Sequence, residues 1–271
     1  RDDVESRGLG DVYKRQESMP LTLNFSLLED YFECPYRFKL SMFYGFVQPL
    51  IPALGYGNVM HAIVRRIHLA AMEGKAITEE YVDSVIEQSF YLPYATPKLQ
   101  QNMYGSVKRG IHEYVHKNQS DFENIRMAET EIEIDMGDGI RVNGRIDLVK
   151  QVVQDGLEKT AIIDFKTANK QVKEEINTQQ LKIYALGYRE LTGKTADYME
   201  IYHLDSQNSA SDTITPDVIT AVTEDIKDAA DHIRNNHLPR KCSKEKCSRC
   251  HLNYLCLGKK EQKEYVNCLL Y

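Results

Sequence analysis

Apolar and polar residues follow a helical period through the first third of the chain and then switch to alternation. In the opening LTLNFSLLE, Ser26 stands before an apolar run and predicts an N-cap, with a short helix carrying Tyr31 and Phe32 as far as Cys34. Pro35 and the aromatics Tyr36, Phe38, Phe43, Tyr44 and Phe46 predict a packed connection. Gly55 and Gly57 open a helix that stops at Gly74, where Val59, Ala62, Ile63, Ile67 and Ala70 fit a 3.6-residue period. Two further helices are predicted at 78–90 and 97–119.

Near residue 127 the pattern changes. EIEIDMGDGIRVNGRIDLVKQV alternates around a turn at Gly137–Gly139, which reads as a hairpin. A turn at Asp155–Gly156 leads to TAIIDFKT, a strand rich in β-branched residues. A helix over 175–191, a strand over 197–204 (DYMEIYHL) and a long helix over 215–235 follow. No internal repeat and no low-complexity linker interrupts them. The expectation is an α/β core with a helical N-terminal part and a cysteine-rich tail.

Composition adds bounds rather than chemistry. The 271 residues are 42% hydrophobic and 27% charged, ordinary for a globular chain with a sizeable core. No apolar run reaches bilayer length, so no membrane partner is expected. The net charge of −6 argues against indiscriminate nucleic-acid binding, yet nine Lys and Arg lie between Arg234 and Lys263. The segments 1–16 and 265–271 lack periodicity and are expected to be non-native scars, with a native protein extending further. Between them the expected parts are a helical region over 17–126, an α/β core over 127–235 and a tail over 236–264, in one structural domain.

Cysteine spacing is the first chemical signal. Cys247, Cys250 and Cys256 form a C-x2-C-x5-C run, while Cys34 lies more than two hundred residues earlier. Soft thiolates select zinc or iron–sulfur. Structural zinc sites come as two local pairs, whereas three late ligands and one distant one suit a cubane stapling the termini. No apolar secretory segment occurs, so a reducing, cytoplasmic setting is expected and disulfides are not. Cys268 lies in the discounted end, and Cys242 is a fifth thiol without an assigned role.

Carboxylates give the second signal. Asp147 lies in GRIDLV, Asp164 and Lys166 in IIDFKT, and Gln180 and Tyr184 in QQLKIYAL. Residues two apart on a strand share a face, so Asp164 and Lys166 point together and Phe165 points into the core. Asp147 on an adjacent strand completes a carboxylate pair suited to Mg²⁺, with Lys166 placed to stabilise charge on a phosphate. Gln180 and Tyr184 share a helix face at i, i+4, where they can hold a DNA backbone or orient Lys166. His61, on the helix after GYGNVM, is a further ligand candidate set against an ordinary structural histidine.

The ordered set GYGNVMH, GRIDLV, IIDFKT, QQLKIYA resembles the RecB-like branch of the PD-(D/E)xK nuclease superfamily. The cysteines are similar to the iron–sulfur staple of AddB-type and CRISPR-associated members. LNFSLLEDYFECPYRFKLSMFYGF and FYLPYA resemble the C-terminal nuclease module of UvrD-like superfamily 1 helicases. The resemblance implies a mixed central sheet flanked by helices. It implies metal ligation by His61, Asp147, Asp164 and the Phe165 backbone carbonyl, with Lys166 catalytic and Gln180 and Tyr184 in the following motif. It also implies a 4Fe–4S cluster on Cys34, Cys247, Cys250 and Cys256. The expected activity is Mg²⁺- or Mn²⁺-dependent DNA hydrolysis, as an exonuclease, on single strands or duplex ends. A superfamily 1 helicase, in cis or in trans, would be the partner in repair or recombination. The rival readings are a catalytically silent DNA-binding module and a zinc-stapled interaction domain. No GxxxxGK[ST] loop occurs, so no ATPase is expected in this chain.

Overall fold

A computed structural model describes residues 20–47, 53, 55–154, 156–167 and 178–256. They form a mixed α/β fold with a central mixed sheet flanked by helices. The described residues fall into two compact units: one lies within 20–47, 133–143 and 221–256, the other within 53–132 and 144–220.

The first unit opens with β1 (Leu21–Asn24) and α1 (Phe25–Glu33), followed by α2 (Pro35–Met42). β1 runs parallel to the start of β3 (Ile140–Gln154), with Leu23 opposite Val142. Asn24 caps α1: its side chain accepts from the Leu27 amide at 2.8 Å. The sequence pointed to Ser26, which lies inside the helix instead. Asn24 wins because its extended backbone turns its carbonyl oxygen onto the first free N–H groups. Asn24→Ala is expected to lower stability by about 1 kcal/mol in urea unfolding, and Ser26→Ala by much less. Cys34 breaks the chain between α1 and α2, in extended conformation, with Pro35 starting the second helix. Later come α7 (Pro216–Arg234), α8 (Lys244–Arg249) and α9 (Asn253–Cys256). Tyr36 N–H bonds the Pro239 carbonyl at 3.1 Å, tying the start of α2 to the tail.

The second unit carries α3 (Tyr56–Met72), α4 (Glu79–Ser89) and α5 (Pro97–Asn118), close to the predicted bounds. Gly55, with φ +98°, supplies the left-handed entry to α3 that a side chain would strain. A Cβ at Gly57 would lie 3.0 Å from Thr167 Oγ1, so glycine there lets the first turn of α3 sit against the end of β4. The sheet continues with β4 (Leu157–Lys166), β5 (Tyr198–His203) and β6 (Asn208–Thr213). β4 is antiparallel to β3, parallel to β5, and β5 is antiparallel to β6. β2 (Ile125–Gly137) also pairs with β3. α6 (Thr178–Thr192) packs on β4 and β5.

Residues 161–165 of β4 are buried on both faces, as expected of a central strand. Ile163 and Phe165 enter the core with Ile63, Ile67, Val85, Ile111 and Tyr114 from α3, α4 and α5. The opposite face of β4 therefore holds Ile162, Asp164 and Lys166. The predicted turn at Asp155 and the helix start at 175–177 fall outside the described residues.

Candidate active site

Strand pairing explains why two carboxylates meet. The β3–β4 ladder ends at Leu148↔Ile163, so Asp147 and Asp164 come next, side by side. The Phe165 N–H turns to Asp147 Oδ2 at 2.9 Å, which satisfies a buried backbone donor with a carboxylate. Both acids are buried, Asp147 at 8% exposure and Asp164 at 2%. An isolated carboxylate is not kept charged at such depth without partners.

The partners are an ordered set. Lys166 Nζ lies 2.9 Å from Asp164 Oδ2 and donates to Gln180 Oε1 at 2.7 Å. Gln180 Nε2 donates to the Tyr184 hydroxyl at 2.6 Å, and that hydroxyl donates to Asp164 Oδ1 at 3.4 Å. Lys166, Gln180, Tyr184 and Asp164 thus close a ring of polar contacts. Gln180 is spoken for at both ends of its amide, which fixes where the lysine ammonium stands. Burial and the nearby acids Asp147 and Asp164 push the Tyr184 hydroxyl well above its ordinary value, so it acts as a donor and not as a base.

α3 contributes His61, whose Nδ1 lies 3.6 Å from Asp147 Oδ2. Burial lowers its pKa, opposed by Asp164 and by the Phe165 backbone and aided by Lys166. A neutral imidazole of this kind is a metal ligand in waiting. Burial and the charge of Asp164 push Asp147 up to about 8. Its neutral form is the one the metal-free fold favours.

Among the described residues, one further group joins this set, and strand alternation does not point to it. A carboxylate oxygen of Glu129 and ligand atoms of His61 and Asp147 all lie within 4.8 Å of one another. In AETEIEIDM the alternation reads Glu129, Glu131 and Glu133 as one solvent face. Instead Glu129 adopts φ +50°, and the in–out alternation of β2 shifts phase around it. Its side chain is 5% exposed and pairs with Arg145 at 2.5 Å. A non-glycine residue in the left-handed region carries backbone strain, and such strain gathers at functional positions.

The donor set fits a divalent cation. Hard carboxylate oxygens and one imidazole suit Mg²⁺ or Mn²⁺ over soft metals. Burial first, and the charge of Asp164 second, raise Asp147, and a cation seated among these oxygens would offset both. A divalent cation such as Mn²⁺ bound here would displace the Asp147 proton. Affinity is therefore expected to rise about tenfold per pH unit below about pH 8 and to level off above it, as calorimetry can read. The metal-free protein has the opposite trend. The raised folded pKa of Asp147 makes its contribution to stability greatest below about pH 4, and that contribution is lost as the pH rises through about 8.

All expected site residues outside the cysteines, namely His61, Asp147, Asp164, Phe165, Lys166, Gln180 and Tyr184, fall together in the second unit. The cysteines belong to the first. There Cys34, Cys242, Cys247, Cys250 and Cys256, all half-buried, line one cavity with Arg37, Arg240, Lys241 and Lys246. The Lys241 N–H reaches Cys34 Sγ at 3.5 Å, and Lys246 Nζ pairs with Glu33 at 3.1 Å. Burial raises the Cys250 thiol, while Arg37 pulls it down. Cys242 shares the cavity with the four cysteines that the spacing singled out.

A buried acid pair at the end of a central strand, a lysine two residues on and a Gln-x3-Tyr helix behind it define a class. The chain belongs to the PD-(D/E)XK nuclease superfamily, whose family model matches residues 22–257. That membership points to hydrolytic nuclease chemistry with a divalent metal. Among curated proteins none matches. A solved structure titled "Crystal structure of SSO0001" is similar at 14% identity and a TM-score of 0.42, over 87% of this chain and 85% of that one.

Proposed function

We propose that this chain is a Mg²⁺- or Mn²⁺-dependent deoxyribonuclease. The observation that carries the reading is the closed ring of Lys166, Gln180, Tyr184 and Asp164 beside Asp147 and His61. His61, Asp147, Asp164 and Glu129 are the side chains that would hold the metal, with the Phe165 carbonyl beside them. When bound, the metal supplies Lewis-acid polarisation of the phosphate and an activated water. Asp147 would hold the metal as its carboxylate, without the proton that burial favours. Lys166, positioned by Gln180, neutralises charge that develops on the phosphate oxygens as the bond to the 3′ oxygen breaks. Tyr184 holds Asp164 from the far side, so the carboxylate does not follow the lysine when substrate arrives.

In the same reading, Cys34, Cys247, Cys250 and Cys256 hold a 4Fe–4S cluster of structural role, supported by their shared cavity and the cations around it. Arg240, Lys241 and Lys246 give that surface a positive face for a phosphate backbone, so affinity for DNA falls as salt rises. Exonuclease action on single strands or duplex ends, and service beside a superfamily 1 helicase in DNA repair, rest on the resemblance of the opening segment and FYLPYA to helicase-linked nuclease modules.

Anaerobic purification followed by a visible spectrum and a Mg²⁺-dependent cleavage assay on single-stranded DNA tests both halves. The expected result is a brown protein that cuts, stops with chelator, and loses cutting but not DNA binding in Asp164→Ala. Binding without cleavage by the wild type would overturn the catalytic reading. A colourless protein containing zinc would overturn the cluster.

A further inference from the structure

We propose that His68 and Tyr114 are positioning residues for the metal site, acting through the Phe165 peptide. The inference rests on the reading of that site as a divalent-metal centre. Phe165 links the core to the site because its two ends do different things. Its N–H holds Asp147 at 2.9 Å and its backbone meets His61, while its ring is buried in the core at 3% exposure. Whatever fixes the ring fixes the peptide that orients two groups of the site.

The ring is held on several sides. His68 lies 5.7 Å from it with planes tilted at 36°, and Tyr114 meets it edge-on at 5.7 Å and 89°. Tyr202 approaches at 6.0 Å, and His61 itself at 6.3 Å. His68 and Tyr114 are joined by a 2.7 Å contact between Nε2 and the hydroxyl, with both residues almost wholly buried. Tyr114 packs further on Phe122 and Tyr202, and the Tyr202 hydroxyl is fixed by Asn118 and Gln207. The cage around Phe165 is thus keyed by directional contacts on two of its walls.

α3 supplies one histidine to the Phe165 backbone and another to its ring. His61 and His68 are seven residues apart on one helix, two turns and about 10 Å, so they share a face. Burial and the charge of Lys150 hold the His68 pKa down to about 3, so it remains neutral and carries no proton to the site. A purely packing role would be served as well by two apolar rings, because a buried polar pair gains little net stability over them. What the polar pair adds is a fixed orientation of both rings.

The double variant His68→Phe/Tyr114→Phe separates the two roles. It keeps the ring volume and removes the polar pair as a unit, so neither partner is left unsatisfied. The expected result is an unfolding midpoint at or above that of the wild type, with Mn²⁺ affinity by calorimetry lowered about tenfold. In cleavage assays, the Mn²⁺ concentration for half-maximal rate rises by a similar factor, while kcat at saturating metal stays within about twofold. Tyr114→Phe alone, which keeps every ring, is expected to weaken Mn²⁺ in the same direction. Wild-type Mn²⁺ affinity in a stably folded double variant would overturn the positioning role and leave the metal centre standing. Failure of the wild-type protein to bind Mn²⁺ would overturn both.

Discussion

Lys166→Ala is expected to lower cleavage by about 10²–10³-fold while leaving DNA binding and the fold in place. The size follows from what the ammonium touches. It is the one cation paired with Asp164 among the described contacts of that carboxylate, and it is aimed by Gln180. Its removal would take away the charge stabilisation proposed at the phosphate, and it leaves Asp164 beside Asp147 without the ammonium at 2.9 Å. Lys166→Arg is expected to rescue little, since a planar fork does not fill the place of a compact ammonium held at 2.7 Å by one amide oxygen. Gln180→Ala should lose less than Lys166→Ala, because it frees the lysine without deleting it. Single-turnover cleavage at saturating metal checks the order of the three. Equal rates for wild type and Lys166→Ala would remove the lysine from the mechanism.

Cys250→Ser is expected to have the other large effect, on the first unit. Ligation linked to folding stabilises by several kcal/mol, and a loss on the order of 4 kcal/mol corresponds to a midpoint lower by about 8–16 °C at this size. Under the proposed cluster, the colour is expected to be lost with it. Cys242→Ser makes the internal comparison, since that thiol lines the same cavity but stands outside the C-x2-C-x5-C run. Retained colour in Cys242→Ser and lost colour in Cys250→Ser would support the assignment of the four ligands. The reverse pattern would move the cluster onto Cys242.

Much of the fold was legible because burial and period agree. The helices of the second unit follow their apolar stripes, and β4 carries the apolar run Ala161–Ile163 in a stretch, 161–165, buried on both faces. The parts that escaped are short or poor in apolar residues, and their place comes chiefly from strand pairing. β6, NSASDT, has no large apolar residue, and its place comes from antiparallel pairing with β5. β1 is four residues long and is paid for by a partner more than a hundred positions away. In the site, the aspartates and lysine were readable because strand alternation fixes their side. Glu129 was not, because its direction depends on a positive φ that breaks the very alternation used to read it.

The face shared by His61 and His68 makes the length of α3 matter as much as its composition. One residue inserted between them would turn one histidine about 100° away from the other and shift it along the axis by about 1.5 Å. No change of side chain elsewhere could undo that rotation. The segment between the two histidines is therefore closed to insertion or deletion, while Ile63, Val64 and Ile67 within it are also held by the core, and it behaves as a ruler whose marks are an imidazole at each end.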